Sequence, residues 1–148
     1  MRDFLSVPAA GPEEGNLLTP VNSSGFSKFL IGNLPAYRQG MEPLTRGLEI
    51  GMAHGFLLFG PFAKLGPLRD STTIAPELAG LLGAVGLVLI LTICLSLYAY
   101  TQPRKDDWIG GEKGWAQFAS GFMIGGGGGA TTAYFLTTNL SLLMAAHV

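Results

Sequence analysis

Apolar stretches alternate with polar ones along this chain, and three of them predict helices that cross a bilayer. Residues 78–100 carry no charge and read Leu-Ala-Gly-Leu-Leu-Gly-Ala-Val-Gly-Leu-Val-Leu-Ile-Leu-Thr-Ile-Cys-Leu-Ser-Leu-Tyr-Ala-Tyr. A bilayer core needs about 20 apolar residues in helical form. Pro76 and Glu77 precede the run, and proline and an acid both suit a first helical turn, so the span is placed at about 76–100. Residues 115–146 are also uncharged. They predict a span over about 115–136, or as far as Leu143. Five successive glycines, 125–129, interrupt it. Each costs a helix in water about 1 kcal/mol relative to alanine, but lipid offers the backbone no other hydrogen-bond partner, so helix remains the best state. The remaining stretch, about 43–63, is apolar and glycine-laced but holds Glu49, His54 and Pro61. Reading it as a span leaves only short connections, 64–75 and 101–114. The predicted fold is an all-α membrane protein of three transmembrane helices, with a membrane domain over 43–146. An extended N-terminal segment, 1–42, precedes it. The polar start lacks a basic run followed by an apolar one, so no cleavable signal peptide is expected.

Composition strengthens the membrane reading. The chain has 148 residues, of which 48% are hydrophobic and 13% charged, whereas soluble domains carry about 25% charged residues. A net charge of −1 gives no electrostatic case for nucleic acid. Lys and Arg orient the helices. Arg2, Lys28, Arg38 and Arg46 precede the first span, and Arg104, Lys105 and Lys113 lie in the second loop; the first loop has only Lys64 and Arg69. Seven against two places the N-terminus and second loop on the cytoplasm-like side and the C-terminus on the other. Trp108, Trp115, Tyr98 and Tyr100 gather at the second loop, where an interfacial aromatic belt belongs. Cys94, the single cysteine, reads as a buried, inert thiol in an apolar run.

Glycines recur every four residues in two spans, as Gly47, Gly51 and Gly55 and as Gly121, Gly125 and Gly129. Each set falls on one helix face and lets another backbone approach closely. Such a face suits helix packing and would also admit a flat macrocycle. The 125–129 run is not a phosphate loop, since no Gly-Lys-Ser/Thr follows it.

Ionisable groups at membrane depth are costly and point to function. Glu49 and His54 lie five residues apart, which at about 100° per residue separates them by roughly 140°. They face different sides of one helix and suit two ligand events better than one shared metal. Magnesium in a chlorin ring takes one axial donor, and neutral imidazole serves. Plainer readings stay open: His54 bonded to a neighbouring helix carbonyl, and Glu49 paired with Arg46 at i−3. A haem between paired histidines would need a second histidine at depth, and the other one is His147. No nucleophile, base and orienting group occur together, so the chain does not read as an enzyme. Thr131, Thr132, Thr137 and Thr138 are expected to bond backbone carbonyls.

Three segments carry a resemblance: residues 31–38 (Ile-Gly-Asn-Leu-Pro-Ala-Tyr-Arg), 46–55 (Arg-Gly-Leu-Glu-Ile-Gly-Met-Ala-His-Gly) and 64–70 (Lys-Leu-Gly-Pro-Leu-Arg-Asp). With 18–21 (Leu-Thr-Pro-Val) and 114–118 (Gly-Trp-Ala-Gln-Phe), the chain resembles subunit XI of photosystem I, the L subunit (PsaL), of cyanobacterial type. The resemblance implies three membrane helices, a stromal N-terminus and a lumenal C-terminus, in a thylakoid or, in a host without thylakoids, the plasma membrane. It implies antenna chlorophyll a with Glu49 and His54 as axial ligands, and β-carotene nearby. Further pigment contacts are expected at Asn33, Pro35, Ala36, Met52, Ala53 and Pro61. Implied partners are the large reaction-centre subunits, neighbouring small membrane subunits, and copies of the chain around a three-fold axis. It also implies a calcium ion at that contact, with the Pro67 carbonyl and Asp70 carboxylate as donors; read locally, Asp70 pairs with Arg69 or caps the next helix. The five-glycine run departs from the family pattern. The alternatives are a pigment-free membrane assembly or channel-like subunit with glycine-packed helices, and a haem-binding membrane anchor.

Overall fold

The computed structural model describes residues 19–101 and 109–140, and every regular element among them is a helix. Arg104, Lys105, Trp108 and His147 lie outside the described residues. The chain divides into two compact units, Met1–Gly40 and Met41–Val148.

The first unit holds α1 (Pro20–Ser23) and α2 (Gly25–Asn33). The expected extended segment is thus largely helical over 20–33, and local capping explains the difference. The Thr19 hydroxyl accepts from the Asn22 N–H at 3.3 Å while the Thr19 N–H donates to Asn22 Oδ1 at 2.7 Å. This reciprocal pair satisfies donors that a helix start leaves open, and Pro20 is preset for the first helical position. Ser24 caps α2 in the same way, accepting from the Ser27 N–H at 3.1 Å.

The second unit consists of α3 (Pro43–Leu65), α4 (Pro76–Thr101) and α5 (Gly111–Thr138). Pro43 and Pro76 open the first two at their natural positions. Two glycines with positive φ, Gly110 at 92° and Gly111 at 71°, turn the chain into α5, a conformation that a side chain would strain. The helix therefore begins ahead of the expected Trp115. It continues unbroken through the five glycines.

The tightest packing joins α3 to α5. A Cβ added to Gly47, Gly51 or Gly55 would overlap the backbone at Phe118, Phe122 or Gly126. A Cβ on Gly121, Gly125 or Gly129 would overlap the backbone at Leu44, Leu48 or Met52. The two glycine sets interlock face to face, so the helices touch backbone to backbone. All six are buried, so these faces serve helix packing, and Gly129 among them also borders a hollow. Gly126 faces another way and lies against Val88 of α4.

Two buried clusters extend the packing along the bundle. Phe59, Ala63, Ala84, Ala130 and Ala133 form one buried cluster, and Ile109, Trp115 and Phe118 form another at the opposite end. The Trp115 ring meets Tyr98 and Phe118 edge-on, with centroids 5.1 and 5.7 Å apart. The threonines of α5 turn back on their own helix. Thr131, Thr132, Thr137 and Thr138 donate to the carbonyls of Gly127, Gly128, Ala133 and Tyr134.

Among the described residues one helix, α4, is apolar and long enough to cross a membrane. Its most apolar stretch is only 17% buried, unlike the core helix of a soluble protein. Leu82, Ile90, Ile93 and Leu97 stand exposed along it and require apolar surroundings; Cys94, expected to be buried, is exposed on this helix too. The helices α3 and α5 are comparably long. Arg46, Glu49, His54 and Lys64 lower the hydropathy of the first, and Glu112, Lys113 and the glycines lower that of the second.

Candidate functional site

Helix α3 presents Glu49 and His54 on opposite flanks of the α3–α5 seam. His54 is exposed at the side of the bundle. It lines an apolar hollow of about 210 Å³ with Ile50, Leu91, Leu95, Phe118 and Phe122, so all three long helices contribute. Its Nδ1 lies 2.8 Å from the Ile50 carbonyl oxygen, one turn back on the same helix. That oxygen only accepts, so Nδ1 carries a proton, and in the neutral imidazole Nε2 then keeps its lone pair. Nε2 has no hydrogen-bond partner among the described residues. The ring also meets Phe122 edge-on, with centroids 5.5 Å apart and planes inclined at 61°. An imidazole whose other nitrogen is held by a carbonyl is the usual form of a metal-ligating histidine.

Glu49 is half-buried and lines a different hollow, of about 430 Å³, with Met52, Ala53, Phe56, Leu57, Gly129 and Thr132. The roughly 140° between positions five apart on a helix thus separates them into distinct sites. The neighbouring Thr132 hydroxyl is occupied, donating to the Gly128 carbonyl at 2.8 Å. The Glu49 carboxylate is the charged group in an otherwise largely apolar wall.

Met52 and Ala53 therefore accompany Glu49, whereas Pro61 stands exposed two turns further along α3. Asn33, Pro35 and Ala36 belong to the first unit, at the end of α2 and in the turn that follows. There the Asn33 side chain donates to the Phe29 carbonyl at 2.8 Å. Its own carbonyl accepts from Arg38 Nε and Nη2 at 3.1 and 3.0 Å.

Pro67 and Asp70 are exposed in the loop between α3 and α4. The Asp70 carboxylate lies 3.2 Å from Arg69 Nε, an ion pair whose side chains are 51% and 84% exposed in the order Arg69, Asp70. Among the described residues no three His, Cys, Asp or Glu converge on a metal position, so a cation here would need carbonyl oxygens or donors from another chain. Pro67 also borders a third apolar hollow, of about 290 Å³, with Phe62, Leu68, Ile74, Ala79, Leu82 and Gly83.

Sequence reasoning missed the groups that complete the His54 hollow. Leu91, Leu95, Phe118 and Phe122 come from two other helices, so spacing within α3 carries no trace of them. A usable signal was present, however. Phe122 directly follows Gly121, and a glycine face turned to α3 brings the adjacent position round by about 100° to border the same seam.

The sequence matches the family described as photosystem I reaction centre subunit XI over residues 5–142. It is 56% identical to the photosystem I reaction center subunit XI of Nostoc sp., over 96% of this chain and 87% of the relative. The protein of the same name from Porphyra purpurea is 52% identical, over 99% and 96% respectively. That from Thermosynechococcus vestitus is 47% identical, over 95% and 93%.

Proposed function

The chain belongs to the photosystem I reaction centre subunit XI family, and from that premise we propose a three-helix membrane subunit that holds antenna chlorophyll a at His54 and Glu49 and joins copies of the complex around a three-fold axis. The family is a structural component of the reaction-centre complex and not an enzyme family. Its partners are the other photosystem I subunits, and its setting is the thylakoid membrane. In the proposed topology α3 and α5 span the bilayer beside α4, with the N-terminus stromal and the C-terminus lumenal.

The observation that carries the pigment reading is the state of His54. Its Nδ1 lies against the Ile50 carbonyl, which in the neutral imidazole leaves the Nε2 lone pair for a ligand, beside an apolar wall. A chlorophyll held by His54, and another held by the Glu49 carboxylate, would each supply a magnesium centre and a chromophore that passes excitation. The chain supplies the donor and one apolar wall of each site. Glu49 offers a hard oxygen donor, which suits magnesium. The His54 hollow, at about 210 Å³, is smaller than the 300–1,000 Å³ that encloses a drug-sized ligand. This chain is therefore one wall of the site, and neighbouring subunits or lipid close it. β-Carotene is assigned to the apolar outer faces, and calcium to the Pro67 carbonyl and Asp70 carboxylate at the lumenal contact between copies.

The test is a structure of the purified complex carrying His54→Leu or Glu49→Ala, with pigment content measured alongside. Displacement or loss of one chlorophyll per variant is expected, a different one in each. Water can replace a lost ligand, so position is read as well as number. Every chlorophyll unmoved in both variants would leave the pigment-free assembly reading in its place.

A further inference from the structure

We infer that Phe122 is a positioning residue for the His54 imidazole, an inference that rests on the reading of His54 as an axial ligand. The bond from Nδ1 to the Ile50 carbonyl fixes which nitrogen is protonated. It does not fix the ring plane, because hydrogen bonds to a carbonyl tolerate a broad range of directions. A second contact, from a different helix, restrains that remaining freedom. Phe122 of α5 meets the imidazole with centroids 5.5 Å apart and planes at 61°, within the edge-on geometry that aromatic pairs favour.

Phe122 is suited to the task because it is itself held. It is 3% exposed, and its backbone abuts Gly47 and Gly51 so closely that a Cβ on either would overlap it. Gly51 is one turn before His54 on the same helix. The glycine contact thus delivers the Phe122 ring to the imidazole at a set height, and the imidazole is gripped by its own helix and by the facing one. Contacts behind a metal ligand orient it and tune the metal centre. Phe122 therefore acts on the pigment through His54, by setting the plane of the ligand.

The neighbouring Phe118 provides a matched control. It lines the same hollow, but its described ring contact is with Trp115, at 5.7 Å and 78°.

The test uses the assembled complex with Phe122→Leu, Phe122→Met, Phe118→Leu and His54→Leu, read by low-temperature absorption, linear dichroism and a density map. Both Phe122 variants keep apolar bulk but remove the ring. The expected result is a full pigment count, an imidazole plane turned relative to the Ile50 carbonyl, and a shifted or broadened band from one pigment. Phe118→Leu changes the wall of the hollow but should leave the imidazole plane as in the parent, because Phe118 makes its ring contact with Trp115. The inference is overturned if both Phe122 variants match the parent while His54→Leu displaces the pigment, or if Phe118→Leu turns the imidazole plane equally. If His54→Leu leaves every pigment and band in place, the ligand reading has failed and this inference falls with it.

Discussion

His54 and Glu49 differ in donor chemistry, and that difference gives a residue-scale prediction. Glu49→Gln removes the charge but keeps an oxygen donor, whereas Glu49→Ala removes both. Pigment content per complex should be close to parental in the first and lower in the second; equal retention in both would remove Glu49 from the ligand set. The two-sided placement of these residues was legible in the sequence, because a five-residue step on a 3.6-residue helix has one angular outcome. The Nδ1 contact lay within reach of the same reasoning, since Ile50 is four residues before His54. The sequence reading had instead placed the alternative His54 contact on a neighbouring helix. Phe122, Leu91 and Leu95 were not legible in this way. Their part in the hollow depends on which faces of α4 and α5 turn toward α3, a tertiary fact that periodicity within α3 does not contain. Asp70 gave an ambiguous signal for a physical reason. A carboxylate next to an arginine pairs with it when no other cation is present, and so exposed a pair contributes no more than about 1 kcal/mol. Its observed bond to Arg69 is thus easily exchanged for another cation.

The glycines separate by element-scale role. Gly51 abuts the Phe122 backbone, whereas nothing lies within 4 Å of a Cβ placed on Gly127 or Gly128. Gly51→Ala should push α3 from α5 and destabilise the bundle by about 1–3 kcal/mol, the usual cost of overpacking. Gly128→Ala should be neutral or stabilising by up to about 1 kcal/mol, through helix propensity alone. Unfolding of the micelle-reconstituted chain, followed by helical circular dichroism during denaturing-detergent titration, distinguishes the two; equal midpoints would contradict the interlocked seam. The four-residue spacing in both helices announced close packing. That the two sets would engage each other was not stated by the spacing, because each could have met a third element. The helical content of the first unit was legible in principle from Thr19-Pro20 and Ser24, whose capping chemistry outweighs the proline and glycine content of that segment. The early start of α5 depends on Gly110 and Gly111 adopting positive φ, which a glycine permits but does not require.

At the scale of the assembled complex, the exposed apolar flank of α4 and the two incomplete hollows both call for surroundings that this chain does not supply. Deleting the chain should leave photosystem I monomers that still separate charge, seen as a shift from trimer to monomer on native gels with photochemistry retained; trimers that persist would remove the joining role. Asp70→Ala, or chelation of the parent complex, should lower trimer yield if calcium bridges the contact, and an unchanged yield would detach calcium from assembly. The central claim is that His54 offers a prepared nitrogen to a chlorophyll. A high-resolution map of the assembled complex around α3 tests it most directly. The account predicts a chlorin ring over the hollow bordered by Leu91, Leu95 and Phe122, with its magnesium ligated by His54 Nε2 and Nδ1 still bonded to the Ile50 carbonyl. Nε2 found bonded to a carbonyl of a neighbouring subunit, with lipid or protein alone filling that hollow, would contradict it.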